Sequence, residues 1–473
     1  MSKGYRKYRI IVIFISILTI LLSSCSEKAE GYEFLTFIPL TYLLLFLGTK
    51  RIHFYSERYN GLLLLNGLMF FKYVVAILAT CVTHSYILPS YYAISITKAS
   101  YHWATLILIG EVISLFVIIE LFSSSIYKNC NYNINYKREY NDIKVGPVLL
   151  SFIVMGIVLS ILYPEELFGS ISILFSSENQ LTETLESNHI LSVIFGAFKI
   201  IVIGMMINSC IVKYNNTEKK RYVFISYLFI IIHCLLNVST SRMNIIIPFV
   251  LFAFITSKIF KETGIYLNIT IIVVLSIIIG IVSVYKMPWI LVSQSPVLSF
   301  FSDFAKRLQE YTSNIMPTAM GLQAIEHYNS AIDFTTFFKD FFGSMPIVSN
   351  LFNENEMIYT LYNNYALSGL NNTQLIPMTI SSIAYFTPAL TYLLVDGCAL
   401  LLMFLEKRND YVRNNYLNDY LKLYLFFIFA SCTFSNIQMI SGRLFTNYIP
   451  TMIILYLNRE IGKGFKIKID KKG

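Results

Sequence analysis

Hydrophobic residues form solid runs along most of the chain instead of alternating with polar ones. Residues 10–22 and 271–281, for example, are almost entirely apolar. About 20 consecutive apolar residues make a helix long enough to cross roughly 30 Å of hydrocarbon. The strands of a transmembrane β-barrel would instead alternate between polar and apolar residues. The pattern therefore predicts an all-α polytopic membrane protein.

About twelve transmembrane helices are predicted. They cover residues 10–24, 33–48, 61–83, 102–123, 147–163, 190–212, 223–240, 243–257, 267–285, 377–404, 421–436 and 444–457. Pro388 lies in the middle of the tenth helix, which we expect it to kink. The chain then divides into helices one to nine (1–287), a large polar loop (288–376), the last three helices (377–457) and a basic tail (458–473).

Composition supports the membrane assignment. The 473 residues are 55% hydrophobic and only 14% charged, whereas soluble domains carry about 25% charged residues. Of the seven cysteines, none falls in residues 288–375, and no Cys-x-x-Cys or Cys/His spacing occurs. We therefore expect neither a disulfide framework nor a zinc site in the polar loop.

The basic residues indicate how the chain is oriented. Most of the 37 lysines and arginines lie before the first predicted helix, in every second loop and in the tail. The loop 164–189 contains five glutamates but no lysine or arginine. Because cytoplasmic loops are enriched in basic residues, both termini are predicted to be cytoplasmic and the loop 288–376 to be extracytoplasmic. The net charge of +9 thus reflects topology, and nucleic acid is not an expected partner.

The polar loop is long enough to form a helical cap. Residues 298–316 are predicted to form an amphipathic helix that could lie on the membrane surface. A second helix is predicted over 318–328, an aromatic-rich segment over 331–342, and a loop over 349–373, which is rich in Asn and Tyr. We expect this cap to pack on the bilayer face and to enclose a site there.

Four basic residues on the predicted outer side are candidate ligands for an anion. Arg242 and Arg443 lie in short turns between predicted helices, Lys286 ends the helix before the cap, and Arg307 lies on the first cap helix. An interfacial arginine is often a snorkelling anchor, yet a guanidinium also matches phosphate with two parallel hydrogen bonds. His327 is a candidate general base or phosphate ligand, although a lone histidine is more often an ordinary surface residue.

Charged residues inside the predicted helices form a second group of candidates: Lys72, Glu111, Glu120, Lys199 and Asp396. Such residues are costly in hydrocarbon and are functional candidates by default. Structural pairing is the simpler interpretation, particularly between Lys72 and Glu111 in adjacent helices. Proton-coupled transport is the alternative. Sequence motifs for nucleotide binding, serine hydrolysis, dinucleotide binding or Asp-x-Asp metal binding are absent.

The topology and three local features resemble the O-antigen polymerases (Wzy-type), which are bacterial oligosaccharide repeat-unit polymerases. The features are Ser-Thr-Ser-Arg at 239–242 before a hydrophobic segment, Asn-Asn-Thr-Gln-Leu-Ile-Pro at 371–377, and Ser-Gly-Arg at 441–443 before the last one. Some members carry Arg-x10-Gly and Arg-x15-Gly loop motifs, which this chain lacks at Arg242, Arg307 and Arg443.

The resemblance implies metal-independent glycosyl transfer, without a cofactor, at the outer face of the bacterial cytoplasmic (inner) membrane. The donor would be a nascent O-antigen or capsule chain on undecaprenyl pyrophosphate, and the acceptor a lipid-linked repeat unit. Arg242, Arg443 and His327 would then be catalytic, while Arg307 and Lys286 would bind pyrophosphate or glycan. A GT-C-like fold is implied by analogy.

Implied partners are the undecaprenyl-pyrophosphate-linked oligosaccharide, membrane lipid, and a chain-length regulator and flippase of the same pathway. Two alternatives remain open. One is a flippase or transporter of lipid-linked oligosaccharide with Lys72, Glu111, Lys199 and Asp396 along its path. The other is a different outward-facing lipid–glycan transferase, either a ligase or an acyltransferase.

Overall fold

The secondary structure of the described residues is entirely helical, as the sequence predicts. The computed structural model describes residues 3–86, 92, 94–128, 140–167, 189–236, 243–260, 267–270, 273, 296–329, 332–346, 348–352, 356–367, 376–408 and 415–470. In chain order the α-helices are α1 (Lys3–Cys25), α2 (Phe37–Gly48), α3 (Lys50–Ser56), α4 (Asn60–Thr83), α5 (Lys98–Tyr127), α6 (Pro147–Leu162), α7 (Pro164–Leu167), α8 (His189–Thr217), α9 (Arg221–Leu235), α10 (Met243–Ile259), α11 (Pro296–Tyr311), α12 (Ile315–His327), α13 (Phe334–Gly343), α14 (Ile358–Leu367), α15 (Met378–Tyr385), α16 (Leu393–Arg408), α17 (Tyr416–Ala430) and α18 (residues 437–470).

Five helices in the described residues are long and apolar enough to cross a membrane. They are Gly4–Cys25, Asn60–Thr83, Lys98–Tyr127, Ile190–Thr217 and Pro388–Arg408. Shorter apolar helices cover Phe37–Gly48, Pro147–Leu162, Arg221–Leu235 and Ile247–Thr256. Most of the predicted helix 267–285 lies outside the described residues.

The chain divides into two compact units. Unit 1 comprises Met1–Ile134, Ile290–Asp410 and Phe426–Gly442. Unit 2 comprises Asn135–Trp289, Tyr411–Leu425 and Arg443–Gly473. Nearly all of the predicted cap, from residue 290 onward, therefore groups with the first 134 residues in unit 1.

In unit 1, helix α5 is the central element. It packs against α2, α3, α12 and α16, and its buried face includes Leu108, Val112 and Leu115. Helix α12 comes from the cap, yet its first two turns are completely buried, and Gly321 lets it approach Ile380 closely. A Cβ atom at Gly321 would lie 2.8 Å from Ile380 Cγ2. The first two turns of the cap helix α12 are thus part of the core of unit 1, because their residues are mostly apolar on all sides.

The predicted amphipathic helix at 298–316 is present as α11, but it ends at Tyr311. Ser313 adopts a positive φ of 50° and terminates the turn, and the Asn314 side chain accepts a hydrogen bond from the Ile315 N–H at 2.9 Å. A side chain of this kind is a good cap for the start of a helix. Helix α11 packs against the last part of α4.

Two predictions about the end of the cap and the segment that follows it are wrong. The predicted loop 349–373 contains helix α14, in which Ile358, Tyr362 and Ala366 are buried at a spacing of four residues. The predicted single helix 377–404 is broken instead of kinked: α15 ends at Tyr385, and Pro388 starts a separate 3-10 turn. The residue before a proline avoids the helical conformation, and Thr387 is extended accordingly.

Unit 2 is built around α8, which packs against α6, α9 and α18. Gly196 on α8 allows a close approach to α18, since a Cβ atom there would lie 2.4 Å from Asn447 Oδ1. In α10, the Phe252 ring stacks on Tyr420 with ring centroids 4.2 Å apart.

Candidate functional site

Three of the five predicted site residues fall within the described part of the chain. Arg307 and His327 belong to unit 1, and Arg443 belongs to unit 2. Arg242 and Lys286 lie outside the described residues. Arg307 and His327 lie on consecutive helices, α11 and α12, which pack against each other, but the two side chains contact different partners.

Arg307 is held by an acidic residue one turn earlier in its helix. Its Nε atom donates to Asp303 Oδ2 at 2.8 Å, and each side chain is 19% exposed. This spacing of four residues places the two groups on the same face of α11. The guanidinium is therefore oriented by the protein, and a phosphate oxygen approaching it would compete with a carboxylate.

His327 is the centre of an exposed group of aromatic and acidic residues, which we call the His327 cluster (Glu326, His327, Tyr328 and Tyr365). The imidazole ring centroid lies 4.7 Å from the Tyr328 ring and 5.3 Å from the Tyr365 ring. Burial and then the Glu326 carboxylate raise the pKa of Tyr365. The cluster thus combines two aromatic rings, a proton acceptor and a carboxylate.

An apolar crevice adjoins the His327 cluster. Its lining residues are Ala324, Ile325, Tyr328, Ile332, Ile358, Leu361, Tyr362 and Ile376. The buried Tyr362 hydroxyl has no hydrogen-bond partner among the described residues. The crevice has an empty volume of only about 150 Å³, well below the roughly 300–1,000 Å³ of ligand pockets, so it is an apolar contact beside the cluster and not a ligand pocket.

Arg443 lies inside a helix and not in an outward hairpin, so this part of the prediction is wrong. It ends the helical segment Ile437–Arg443, which continues through a π-helical turn, Leu444–Tyr448, into Ile449–Asp470. The turn between the last two predicted helices lies at residues 431–436 instead. Arg443 interacts electrostatically with Tyr424, whose hydroxyl accepts a hydrogen bond from Asn447 at 3.2 Å.

The predicted pairing of Lys72 with Glu111 is confirmed. Lys72 Nζ and Glu111 Oε1 are 2.8 Å apart, and each side chain is only 1% exposed. Lys72 also donates to the Thr433 carbonyl at 2.7 Å, and the Tyr73 hydroxyl donates to Glu111 Oε1 at 2.7 Å. Burial of both charges requires such a set of partners.

Asp396 lies beside this pair. Its Oδ2 atom accepts a hydrogen bond from Ser114, which is three residues after Glu111 on α5 and therefore on the same helix face. Glu111 Oε2 and Asp396 Oδ1 are both buried and have no hydrogen-bond partner among the described residues. We call Lys72, Glu111, Ser114 and Asp396 the carboxylate site.

Sequence reasoning missed the other polar members of the carboxylate site. Tyr73 and Thr433 bind the charged pair, and neither carries a charge that would have marked it. Ser114 could have been found from the sequence, because its spacing of three residues places it on the same helix face as Glu111. The structural interpretation also holds for Glu120, which accepts from the Arg51 N–H at 3.1 Å, and for Lys199, which donates to the Leu236 carbonyl at 3.1 Å.

Two π-helical turns coincide with two of the candidate cations, the buried Lys72 and the partly buried Arg443. The turn Phe71–Val75 contains Lys72, and the turn Leu444–Tyr448 directly follows Arg443. Single π-helical turns inside α-helices occur frequently at functional sites. This observation adds weight to both cations, and composition gives no indication of it.

The described residues contain no group of three or more His, Cys, Asp or Glu side chains that could hold a metal ion. The six described cysteines are free. Comparison of the chain with protein-family models, curated proteins and solved structures gives no match.

Proposed function

We propose that this protein is a membrane-embedded glycosyltransferase that polymerises undecaprenyl-pyrophosphate-linked oligosaccharide repeat units into a surface polysaccharide, O-antigen or capsule. The reaction takes place at the outer face of the bacterial cytoplasmic membrane. The protein passes the membrane about twelve times in a GT-C-like arrangement, and both termini are cytoplasmic. Chain length is set together with a regulatory partner, and a flippase supplies the substrate.

The observation that carries this proposal is the His327 cluster at the end of a cap helix whose other end is buried among apolar helices. The aromatic faces of Tyr328 and Tyr365 suit the apolar C–H faces of a sugar ring. Apolar helices suit the lipid tail that carries such a sugar. A substrate with a glycan at one end and a polyprenyl chain at the other therefore matches both parts of unit 1.

The chemistry requires one proton acceptor and one stabiliser of negative charge. A hydroxyl oxygen of the acceptor sugar forms a bond to the anomeric carbon of the donor. The bond from that carbon to the pyrophosphate oxygen breaks, and the pyrophosphate leaves with the electron pair. His327 takes the hydroxyl proton as general base, and Arg307 stabilises charge on the pyrophosphate. The roles of Arg242, Arg443 and Lys286 in the same reaction remain predictions.

A second candidate is a transporter that flips the lipid-linked oligosaccharide. The carboxylate site favours it, because buried ionisable residues are frequent in proton-coupled transporters. A gene deletion separates the two functions. Loss of a polymerase leaves a single repeat unit attached at the cell surface, whereas loss of a flippase leaves no repeat unit there.

The test of the site is complementation of that deletion with variants, followed by gel analysis of surface polysaccharide. His327→Ala is expected to reduce chain elongation by about 10²-fold or more, the usual contribution of a general base. Tyr365→Ala should shorten the chains by removing a sugar contact. Tyr359→Ala, on a different face of α14, is the matched control and should give wild-type chains.

The role of Arg307 is tested by substitution, with the neighbouring cation Lys306 as the charge-matched control. Arg307→Gln is expected to reduce elongation, and Lys306→Gln removes the same charge from the next position of α11 and should not. Membrane insertion of each variant is checked by immunoblotting of membrane fractions. Wild-type chain lengths in both His327→Ala and Arg307→Gln would overturn the assignment of this site. Loss of all surface repeat units in the deletion strain would overturn the polymerase itself.

A further inference from the structure

The carboxylate site contains two carboxyl groups, those of Glu111 and Asp396, but only one cation, Lys72. Lys72 and Glu111 compensate each other at 2.8 Å. Asp396 is a third charged group beside them, and the described residues offer it no ion-pair partner. The titratable groups that interact electrostatically with Asp396 are Tyr73, Glu111 and Cys432 on neighbouring elements and Tyr392 just before its own helix. Lys72 and Cys398 in turn interact with members of this group. Lys72 is the single cation among them.

Unsatisfied oxygens distinguish this site from an ordinary buried pair. Asp396 Oδ1 and Glu111 Oε2 are both buried without a hydrogen-bond partner in the described part of the chain, and the Glu111 side chain is 1% exposed. A buried carboxylate oxygen that lacks a donor is costly. Protonation of one of the two carboxyl groups would lower this cost, because it removes one of the two neighbouring negative charges.

Helix α16, which carries Asp396, also carries a carboxylate whose two oxygens both accept hydrogen bonds. Glu406 on α16 accepts hydrogen bonds from the Gly61 and Leu62 N–H groups at 2.6 and 3.3 Å and from the Tyr127 hydroxyl at 3.1 Å. Three donors stabilise the ionised form. Helix α16 therefore carries one carboxylate with three hydrogen-bond donors, Glu406, and one with an oxygen left unsatisfied by the described residues, Asp396.

We propose that Asp396, beside Glu111, is a proton-binding site within the membrane-spanning helices of unit 1. Lys72 pairs with Glu111, and Asp396 carries the exchangeable proton, with Ser114 orienting the carboxyl group. The ligand is the proton and not a metal ion, because the Lys72 ammonium group already lies 2.8 Å from Glu111 Oε1 and the described residues bring no third His, Cys, Asp or Glu ligand to the site. The site is separate from the cap residues that carry the proposed transfer reaction.

The experiment is labelling of the full-length protein in native membranes with dicyclohexylcarbodiimide. This apolar reagent attacks carboxyl groups that are protonated and lie in apolar surroundings. After digestion, mass spectrometry measures the labelled fraction of the peptide that contains Asp396. Labelling is expected at pH 6 and should fall several-fold by pH 8.5. The Glu406 peptide serves as the internal control and should stay unlabelled at both values.

Two variants sharpen the result. Asp396→Asn should remove the label. Ser114→Ala removes the donor that favours the ionised form, so Asp396 should be labelled faster than in the wild type at the same pH. If Asp396→Asn does not accumulate in the membrane, the wild-type pH profile and Ser114→Ala still decide. Absence of label at Asp396 at every pH, or labelling that does not depend on pH, overturns the proposal. Protection by Na⁺ but not by K⁺ would replace the proton with a metal cation and overturn it too.

Discussion

The carboxylate of Asp340 accepts a hydrogen bond from the hydroxyl of Tyr385 at 2.5 Å. Asp340 lies on the cap helix α13 and is completely buried, and Tyr385 ends α15, 45 residues later. The same carboxylate accepts from the N–H of Ile358, the first residue of α14, at 3.2 and 3.3 Å. One acidic side chain therefore joins three helices.

The stability of this junction should depend on pH. Burial raises the pKa of Asp340 to about 7 from its usual value of 3.8. The folded state therefore binds a proton more readily than the unfolded state, so the stabilising effect is complete below about pH 4 and is lost as the pH rises through 7. We expect the thermal unfolding temperature in detergent to fall between pH 5 and 8. In Asp340→Asn, which keeps an acceptor oxygen, this fall should largely disappear.

Asp333, at the start of the same helix, is the matched control for Asp340. It is exposed at the N-terminus of α13, and a hydrogen bond from Thr335 lowers its pKa. Asp333→Asn should therefore leave stability nearly unchanged, because Asn caps a helix about as well as Asp, and it should not change the slope between pH 5 and 8. An unchanged slope in Asp340→Asn would contradict the assignment.

A second prediction concerns the contact between α5 and Tyr392, the residue just before α16. A Cβ atom at Gly110 would lie 1.8 Å from the Tyr392 hydroxyl oxygen. Gly110→Ala should therefore force the two segments apart and destabilise unit 1 by about 1–3 kcal/mol. Thermal unfolding in detergent measures the effect. At Gly67 a Cβ atom would meet nothing within 4 Å, so Gly67→Ala is the control, and equal destabilisation of the two variants would refute the contact.

A third prediction tests how strongly Lys72 and Glu111 depend on each other. Lys72→Met leaves a buried carboxylate and Glu111→Gln leaves a buried ammonium group, and breaking a buried pair in this way costs about 3–5 kcal/mol. The double variant leaves neither charge and should cost clearly less than the sum of the two single ones. A double-mutant cycle on unfolding free energy measures this coupling.

The exposed pair Lys339–Glu356 provides the comparison. Its side chains are 30% and 51% exposed, and pairs of this kind contribute at most about 1 kcal/mol. The corresponding cycle should therefore show little coupling. Additive effects of the two substitutions at Lys72 and Glu111 would mean that the pair is not a unit.

The sequence was sufficient to predict those features of the structure that depend on a local property of the chain. Apolar runs predicted membrane helices, and the cost of a buried charge predicted the pairing of Lys72 with Glu111. Helix α14 was missed because its Asn and Tyr content suggested a loop, although Ile358, Tyr362 and Ala366 already had helical spacing. Tertiary burial of that face overrides composition.

Contacts between distant segments could not be predicted in the same way. The bond from Tyr385 to Asp340 depends on how three helices pack, and no spacing in the chain encodes it. The π-helical turns beside Lys72 and Arg443 likewise follow from packing. The candidate site could therefore be predicted only in part. The sequence identifies each charged residue, but it does not identify the residues that pack against it.

The last prediction concerns Arg443, whose environment differs from the hairpin that its sequence suggested. Within a helix and beside Tyr424, its guanidinium is held in place instead of moving freely at the surface. If it stabilises negative charge in the proposed reaction, Arg443→Ala should abolish chain elongation while the protein still inserts in the membrane. Arg443→Lys keeps the charge but loses the planar two-donor geometry, so we expect intermediate chain lengths.

Arg459 lies further along α18 and is the control for Arg443. It is exposed and pairs with Glu460 at 3.0 Å, so Arg459→Ala should leave the polysaccharide ladder unchanged. Gel analysis of surface polysaccharide and immunoblotting of membranes are measured together, because lost insertion would otherwise imitate lost catalysis. Wild-type chain lengths in Arg443→Ala would remove this arginine from the site. Shortened chains in Arg443→Ala but not in Arg443→Lys would show that charge, and not bidentate geometry, is what the reaction needs.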